Sequence, residues 1–468
     1  MAIGTTNVRY ATEYQLDEIN LITSMSSGAV SMVPYLVELN LFEDIYSSTI
    51  TGQLVVSDAL GIIGNFRLNG TEFLQVSLRK YNGDNYPIKR TFRVFSITNR
   101  GVNSNNAYET YTINFCSEEY MFSEQYRISK SYKNTEISDI ITDILVNYVK
   151  VGNKNNDGTK KIYIQPTYGV YDFVLPNKKI FETINWLTTY AQTKNNLGAD
   201  LLFYESNNGY YLQSLQTLYQ QTPYQTFYYN PKNISSEVKD QIVNVIDFEV
   251  LNFFDTLDAI NNGTFSNKTI TFDILTRTKR TNNMFDYNSS YGNLKHLNKY
   301  SVTNQYKNRR NDSMYQVMDG TELEMGSLRL SSGNREQKLN SWVINSKGGA
   351  DNVANDIFIE SYLKYRVAQL GLINYIKIKI IVPGDSGLTI GSTINFITYG
   401  VGELNENNER KPDPFYSGKY LVTAARHKIE KGGTYITVLE LSKDSTNTQY
   451  PAFDNTNSFL KSIVNGVQ

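Results

Sequence analysis

The stretch Leu39-Asn40-Leu41-Phe42-Glu43-Asp44-Ile45 is matched 212 residues later by Leu251-Asn252-Phe253-Phe254-Asp255-Thr256-Leu257, with similar apolar and acidic character at each position. A β-prone segment follows each copy, starting at Thr51 and at Lys268, and each places an acidic residue two positions before a Leu. Self-similarity at such a separation indicates an internal duplication.

Later segments repeat in the same order, if an insertion interrupts the second copy. The matching pairs are Gly70-Thr71-Glu72-Phe73 with Gly391-Ser392-Thr393-Ile394, Thr91–Thr98 with Gly418–Ile429, Tyr111–Phe115 with Tyr435–Leu441, and Ser117-Glu118-Glu119 with Ser442-Lys443-Asp444. Amphipathic strands resemble one another, so a seven-residue match could arise by chance. A match in order across about four strands favours duplication.

Most of the chain alternates apolar and polar residues over short runs bounded by Gly, Asn and Asp, which predicts strands. Clear examples are Phe73–Leu78, Thr91–Ile97, Tyr111–Phe115 and Ile376–Ile380. Two dipeptides predict hairpins because both residues of each tolerate a positive φ, namely Asn208-Gly209 and Gly432-Gly433.

Three segments have helical spacing instead. The first is capped by Asn134 or Thr135, and the others run over 178–191 and about 351–370. Their apolar faces are Ile137, Ile140, Ile141, Ile144, Leu145 and Tyr148; Ile180, Phe181, Ile184 and Leu187; and Ala354, Ile357, Phe358, Tyr362 and Tyr365. The polar segment 151–161 predicts a loop, and the polar, weakly periodic segment 277–349 predicts an irregular insertion.

These patterns predict a mainly β fold with α insertions, an α+β chain with two related antiparallel β-barrel domains. The predicted division is 1–116 with about 200–245 for the first β domain, 117–199 for a helix-containing insertion, 246–280 with 371–446 for the second β domain, 281–370 for an irregular insertion ending in a helix, and 447–468 for a C-terminal arm. A chain of 468 residues is long enough for two to four domains.

Composition narrows the function. The chain has 45 Lys and Arg, 46 Asp and Glu, and a net charge of −1, which argues against binding nucleic acid by neutralising many phosphates. One Cys and two His cannot form a Cys₄ or Cys₂His₂ zinc site or a disulfide framework within one chain. We therefore expect no cofactor and no metal.

Membrane and export signals were also sought. The first residues lack the basic and apolar segments of a secretory signal, and no stretch approaches the roughly 20 apolar residues of a membrane span. We expect no membrane insertion.

Candidate chemistry is sparse. We interpret Cys116 as a buried apolar residue, and nothing local pairs it with His427, in a predicted strand, or with His296, in the polar insertion. The adjacent carboxylates Glu118-Glu119 and Glu43-Asp44 do not suit glycoside hydrolysis, because neighbouring residues on a strand point to opposite faces. We predict that the protein is not an enzyme.

Two segments are candidate partner interfaces. The basic cluster Lys307, Arg309 and Arg310 is the best candidate for contact with an anion or an acidic partner, although a solvated loop is the simpler interpretation. The C-terminal arm carries Tyr450, Phe453, Phe459 and Leu460 in an otherwise polar segment. This spacing suggests an extended arm that docks on a neighbouring subunit or another protein.

Several runs of sequence match one known family. They are Val33-Pro34-Tyr35-Leu36-Val37-Glu38-Leu39-Asn40-Leu41-Phe42-Glu43-Asp44-Ile45-Tyr46, Gly52, Ser57-Asp58-Ala59, Phe115-Cys116-Ser117-Glu118-Glu119, Ser123-Glu124-Gln125-Tyr126-Arg127, Tyr168-Gly169-Val170-Tyr171-Asp172-Phe173, Pro176-Asn177-Lys178-Lys179, Tyr416-Ser417-Gly418-Lys419-Tyr420-Leu421-Val422-Thr423 and Arg426-His427-Lys428-Ile429. In these runs the chain resembles the baseplate hub subunit of contractile-tailed bacteriophages of the T-even type. The resemblance spans about 33–444 and is weakest over 277–349.

The resemblance implies a homotrimeric ring in which two tail-tube-like β domains per chain make six domains around a channel that DNA crosses without sequence specificity. Such a ring adapts a sixfold tail tube to a threefold central spike. The implied partners are a second and third copy of the chain, the central spike protein, and tail tube or tube-initiator proteins, with wedge or tape-measure proteins as further candidates. The implied location is the virion tail baseplate, after synthesis and assembly in the host cytoplasm.

Two alternatives from other classes stay open at this point. A tail-associated peptidoglycan hydrolase would need an added catalytic cleft containing a carboxylate of raised pKa. A receptor-binding tail protein would use exposed Tyr residues, of which the chain has 36 in total, to stack on sugars.

Overall fold

A computed structural model of the chain describes residues 11–23, 29–80, 88–102, 108–151, 160–194, 198–230, 238–273, 278–302, 327–332, 359–404 and 410–449. The strands are β1 (Gln15–Ile22), β2 (Ala29–Ser31), β3 (Leu36–Asp44), β4 (Thr51–Asp58), β5 (Phe73–Arg79), β6 (Ile88–Val102), β7 (Glu109–Ser117), β8 (Arg127–Ile128), β9 (Ser131–Glu136), β10 (Lys161–Ile164), β11 (Val170–Val174), β12 (Lys178–Lys179), β13 (Leu201–Ser206), β14 (Gly209–Ser214), β15 (Thr226–Tyr229), β16 (Asp247–Phe253), β17 (Ser266–Asp273), β18 (Thr278–Asp286), β19 (Tyr300–Ser301), β20 (Ser327–Ser332), β21 (Ile376–Pro383), β22 (Thr393–Leu404), β23 (Arg410–Pro412), β24 (Gly418–Glu430), β25 (Thr434–Lys443) and β26 (Ser445–Thr446).

The α-helices are α1 (Ile62–Phe66), α2 (Glu118–Gln125), α3 (Ile137–Asp143), α4 (Ile180–Thr188), α5 (Leu215–Tyr219), α6 (Val238–Ile242), α7 (Thr256–Asn261), α8 (Tyr287–Ser290) and α9 (Ile359–Leu372). Short 3₁₀ turns span Val33–Tyr35 and Tyr291–Asn293, and a π-helical turn, Ile144–Val149, continues α3. The predicted mainly β class with helical insertions is confirmed.

Among the described residues, one sheet has 14 strands, and we call it the central sheet. Its path is β16-β21-β25-β24-β3-β4-β7-β6-β5-β1-β2, with β15, β22 and β23 attached beside it. Its strands form because apolar residues recur at every second position. In β21, for example, Ile376, Ile378, Ile380 and Val382 are all fully buried. Burying one side chain of this size contributes about 1.5–3 kcal/mol, so this alternation fixes the register of the strand.

The central sheet contains the same strand order twice. Strands β3-β4-β7-β6-β5 are neighbours in that order, and so are β16-β21-β25-β24-β22. The pairs within both groups are antiparallel. We call these groups the first and second repeat.

The repeat differs from the expected one in its register. The segment starting at Lys268, which was expected to be the counterpart of β4 in the second repeat, lies in β17, outside the central sheet. Strand β21 occupies the position equivalent to β4 instead. Leu41 faces Gly52 in the first repeat and Val250 faces Ile378 in the second, which separates equivalent residues by 209 positions. The expected offset of 212 is wrong, because equivalent residues are 209 positions apart before the bulge at Leu251 and 210 after it. Thr256 and Leu257 belong to α7 and not to a strand.

The hairpin predictions hold, with one change in the turn. Strands β13 and β14 pair from Leu201 to Ser206, and the turn consists of Asn207 and Asn208. Gly209 has φ +144° and starts β14, where an added Cβ would lie 2.0 Å from the Lys161 carbonyl oxygen. Glycine is needed here because β10 approaches closely. The second hairpin joins β24 to β25 with positive φ at Gly432 and Gly433.

The helical insertion has its own apolar core. Helix α3 with its π-helical extension buries every predicted apolar residue except Tyr148, which is partly exposed, and α4 buries its four. The cap prediction is wrong, because Asn134 and Thr135 belong to β9 and Glu136 occupies the N-cap position. Predicted helix residues 351–358 lie outside the described residues, and α9 starts at Ile359.

The segment expected to be irregular includes regular structure. Strand β17 pairs antiparallel with β18 and parallel with β20, which forms a three-stranded sheet from segments far apart in sequence. The sequence of β18 has no regular alternation of apolar and polar residues, which is the signal that predicts a strand. The five-part division of the chain remains a prediction.

Candidate assembly interface

The two repeats are joined inside the chain by an antiparallel strand pair, which we call the seam. Strand β24 of the second repeat pairs with β3 of the first, from Ala424 opposite Asp44 to Glu430 opposite Glu38. A backbone hydrogen bond from the Ile45 N–H to the Thr423 carbonyl (2.9 Å) extends it. The seam makes one continuous sheet from two repeats.

Charged side chains cover one face of the seam. Arg426 donates to Asn40 Oδ1 (2.8 Å) and to Glu38 Oε1 (3.2 Å), and Lys428 Nζ lies 3.5 Å from Glu38 Oε2. Partial burial raises the pKa of Glu38, but the hydrogen bond from Asn40 and the charges of Lys428 and Arg426 outweigh it and lower the pKa below its usual value. The carboxylate therefore stays ionised and holds both cations.

A second polar group lies buried where the β13–β14 hairpin meets the first repeat. Glu43 accepts a hydrogen bond from the Ile390 N–H (3.3 Å), and burial raises the pKa of its carboxyl to about 7. Glu205 accepts from the Ile50 N–H (3.0 Å) and pairs with Lys160 (2.8 Å). The Glu205 hydrogen bond fixes the hairpin against the residue before β4, and the Glu43 hydrogen bond fixes β3 to the turn before β22.

Each repeat also has a strand whose outer side is unpaired in the part of the chain that the structure describes. We call residues 95–102 of β6 the basic edge and β16 the acidic edge. Strand β5 pairs with β6 only up to Arg93, and β16 has β21 as its only partner among the described strands. Unpaired strand edges present rows of backbone donors and acceptors to another chain.

Large apolar side chains are exposed along both edges. Their exposed fractions are 49% for Phe95, 61% for Val102, 38% for Val250 and 44% for Leu251. Phe254 and Leu257, which follow the acidic edge, are exposed by 57% and 76%. Phe254 also has φ +102°, a conformation that a phenylalanine rarely adopts. An exposed apolar strip beside unpaired backbone is typical of a protein interface.

The edges differ in charge. The basic edge includes Arg100 and no acidic residue, whereas β16 includes Asp247 and Glu249 and no basic one. Within the chain, Arg100 pairs with Glu109 (2.8 Å) and Glu249 pairs with Lys379. The two edges are therefore complementary in charge.

A cavity of about 430 Å³ opens beside the acidic edge. Its lining includes Asn252, Asp255, Asp258, Asn262 and Tyr375.

Cys116, His296 and His427 contact different groups and do not form one site. Burial raises the pKa of the Cys116 thiol to about 11, and strands β3 and β4 separate its strand, β7, from the β24 strand of His427. Burial lowers the pKa of His427 to about 4. His296 Nδ1 lies 2.6 Å from Asp444 Oδ2 and its Nε2 lies 3.0 Å from the Tyr291 carbonyl oxygen, which gives it a local structural role.

The acidic pairs do not face each other across a cleft. Glu118 and Glu119 start α2, a helix and not the expected strand, and Glu119 is ion-paired with Lys160. Glu43 is buried while its neighbour Asp44 is exposed on the other side of β3. No group of three His, Cys, Asp or Glu residues that could hold a metal ion is found among the described residues.

The predicted partner residues cannot be compared with these edges. Lys307, Arg309 and Arg310, and the arm residues Tyr450, Phe453, Phe459 and Leu460, lie outside the described residues. The two edges were missed in the sequence. The separation of basic and acidic residues between β6 and β16 was the available signal, but it has meaning only once the strand neighbours are known.

Comparison with known proteins connects this architecture to phage tails. The chain is 22% identical over 435 residues to the probable baseplate hub protein gp334 of Vibrio phage KVP40, covering 89% of this chain and 92% of that protein. The resemblance to phage baseplate hub subunits is confirmed. At this level the chain is a structural protein of the phage baseplate or tail.

Solved structures of tail proteins also align with the chain. They include the tail protein from Neisseria meningitidis MC58 (8% identity, TM-score 0.49, 92% of this chain and 97% of that one) and the 43 kDa tail protein of prophage MuSo2 from Shewanella oneidensis (9% identity, TM-score 0.49, 92% and 98%). No protein-family model matches the chain. Within the described ranges, no helix has the length and apolar character needed to cross a bilayer.

Proposed function

We propose that this baseplate hub protein assembles as a ring of three copies that joins a sixfold tail tube to a threefold central spike. Six repeats then surround one channel, two from each chain. The ring is structural and has no catalytic role. DNA crosses the channel without sequence-specific contacts.

The observation that carries this proposal is the repeated strand order joined edge to edge at the seam. A chain that presents the same five-strand unit twice can offer six similar surfaces from three copies. Its two ends are different, since the basic edge closes one and the acidic edge the other. Unlike ends produce head-to-tail contacts, which form a ring when the rotation between copies closes.

The charge of the chain suits passage of DNA. A net charge of −1 provides no surplus of cations that would retain a phosphate backbone by counterion release. The proposed protein partners are the central spike, the tail tube or a tube-initiator protein, and wedge or tape-measure proteins.

The C-terminal arm and the basic cluster are proposed contacts with these partners. Deleting residues 449–468 should weaken binding to the spike protein or to a neighbouring subunit. Replacing Lys307, Arg309 and Arg310 together with Gln should weaken binding to an acidic partner and lower its salt dependence. Unchanged assembly of either variant would remove that segment from the proposal.

The ring itself is tested by mass. Light scattering of the purified chain, alone and with the spike protein, should give a particle of three times the 53.4 kDa chain mass. Cryo-electron microscopy of the tail tip should resolve six repeat units around the channel, alternating between two kinds of joint. A particle that never contains three copies would exclude the proposal.

A further inference from the structure

We infer that the basic edge of one chain pairs with the acidic edge of a second copy, as an antiparallel strand pair whose register is set by one extra residue on each edge. This inference rests on the proposed ring and names the contact that closes it.

The seam provides the template, because β6 is equivalent to β24 and β16 to β3. Thr98 pairs with Thr112 of β7, and Arg426 pairs with Val438 of β25, at equivalent places in the two repeats. In the same way Asn252 pairs with Lys377 of β21, as Phe42 pairs with Thr51 of β4.

The seam then fixes a first pair of the contact between copies. Arg426 faces Phe42 across the seam. Thr98 of one chain therefore faces Asn252 of the next.

The other end of the edges gives a second, independent pair. Val102 is equivalent to Ile429, since they face Glu109 of β7 and Tyr435 of β25. Phe248 is equivalent to Leu39, since they face Ile380 of β21 and Leu54 of β4.

Ile429 faces Leu39 across the seam. Val102 therefore faces Phe248 of the next chain.

The two pairs fit a single register because each edge has one more residue between its paired positions than the equivalent strand of the seam. Along the seam, Arg426 is three residues from Ile429 and Phe42 is three from Leu39, whereas Thr98 is four from Val102 and Asn252 is four from Phe248. The extra residues lie at the bulges between Thr98 and Gly101 in β6 and between Val250 and Asn252 in β16. They fall opposite each other, so the register stays continuous through both pairs.

Charge and burial favour the same contact. The register places Arg100 opposite Val250 and one position from Glu249, which suits attraction between the edges. It also covers Val102 and Leu251, exposed in the single chain by 61% and 44%.

The cavity fits this register as well. Thr423 is the residue that bulges between Val422 and Ala424 in β24, and Phe95 occupies the same place in β6. The Ile45 N–H donates to the Thr423 carbonyl at the end of the seam, and Asp255 is equivalent to Ile45. Phe95 of one chain therefore lies opposite Asp255 of the next, in the lining of the cavity beside the acidic edge. A second copy thus provides an apolar side chain at the cavity.

Disulfide formation between copies tests the register. The full chain with Thr98→Cys and Asn252→Cys, oxidised under native conditions, should give a ladder on non-reducing gels that ends at three chains. A disulfide needs Cβ atoms within about 4.5 Å, so the register must be right. Each single variant should give no ladder, and native Cys116 is buried and should not contribute.

Two matched variants make the test specific. Thr98→Cys with Glu249→Cys shifts the partner by three residues, about 10 Å along the strand, and should cross-link at least about fivefold less. Arg426→Cys with Phe42→Cys has the equivalent geometry at the seam and should form a disulfide within one chain, which peptide mapping detects.

The outcomes separate this inference from the proposed function. If the seam disulfide forms and the particle contains three copies, but Thr98→Cys/Asn252→Cys gives no ladder, the edge pairing is wrong and the ring stands. Stronger cross-linking by the shifted variant would also overturn the register. A chain that stays single, with and without the spike protein, and gives no ladder would overturn both.

A charge exchange provides a second test. Arg100→Glu and Glu249→Arg should each weaken self-association severalfold at low salt, and the double variant should recover most of the loss. Absence of recovery, with both single variants folded by circular dichroism, would contradict the predicted proximity of the two side chains.

Discussion

The Glu43 carboxylate accepts a hydrogen bond from the backbone N–H of Ile390 (3.3 Å) and so ties strand β3 of the first repeat to the turn that precedes β22 of the second. The contact is buried, and the carboxyl has a pKa of about 7 because ionisation there is costly. One contact at the junction therefore involves a carboxyl whose protonation state changes near neutral pH.

Glu43→Gln should be more stable than the wild type at high pH. The folded pKa of about 7 lies above the unfolded value near 4.5, so the protonated carboxyl stabilises the wild type at low pH and that contribution is lost as pH rises through 7. The difference in free energy of unfolding between the variant and the wild type should grow by about 2–3 kcal/mol in favour of the variant from pH 4 to pH 8, measured by urea denaturation. Asp44→Asn, on the exposed side of the same strand, is the matched control.

His427 should make the protein sensitive to acid. Its folded pKa of about 4 lies below the unfolded value of 6.5, so the unfolded chain takes up the proton first and stability falls as pH decreases from 6.5 to 4. The loss should approach roughly 3 kcal/mol. His427→Asn, which keeps a polar partner for the Tyr435 hydroxyl (2.8 Å from Nδ1), should remove this slope from the unfolding free energy. An unchanged slope would assign the acid sensitivity to another group.

Gly52→Ala should destabilise the first repeat. An added Cβ would lie 2.3 Å from ring atoms of Phe115 and 2.7 Å from the Asn40 carbonyl oxygen, and the backbone cannot move without opening β3 from β4. We expect a loss of about 1–3 kcal/mol or more in thermal or urea unfolding. Gly64→Ala, where no atom lies within 4 Å of the added Cβ, is the matched control and should change stability by less than about 0.5 kcal/mol.

Cys116 should resist thiol reagents in the native protein. Burial raises the pKa of the thiol to about 11, which leaves little thiolate at pH 8 and limits access as well. Labelling by iodoacetamide should be at least about a hundredfold slower than for the same protein in urea. Rapid native labelling, followed by mass spectrometry, would contradict the buried position.

Local features of the fold could be predicted from the sequence. The alternation in Ile376–Ile380 and the pair Gly432-Gly433 predicted a strand and a hairpin, because these signals depend on residues close in the chain. The cap of α3 was misplaced because Asn134 and Thr135 are typical cap residues, yet pairing of β9 with β11 holds them in a strand. The pairing of β9 with β11 therefore outweighs the local preference of these residues for a helix cap.

The interface was less accessible to sequence reasoning. The duplication was recognised, but its offset was wrong by two to three residues because short amphipathic runs match at several offsets. The edges of β6 and β16 are defined by neighbours that they lack within the described chain, a property of the sheet and not of either strand. Lys307 and the arm residues were predicted as contacts from their unusual composition. Composition does not indicate which strand in a sheet lacks a neighbour.

In the proposed ring, the matched extra residues on β6 and β16 would distinguish correct from incorrect strand pairs. If β6 paired with β3 of another chain, or β24 with β16 of another chain, a longer strand would lie against a shorter one. A backbone group at the mismatch would then have no hydrogen-bond partner. Only the correct combination closes without a defect. In the proposed ring, strand length alone would therefore distinguish the joint within a chain from the joint between chains.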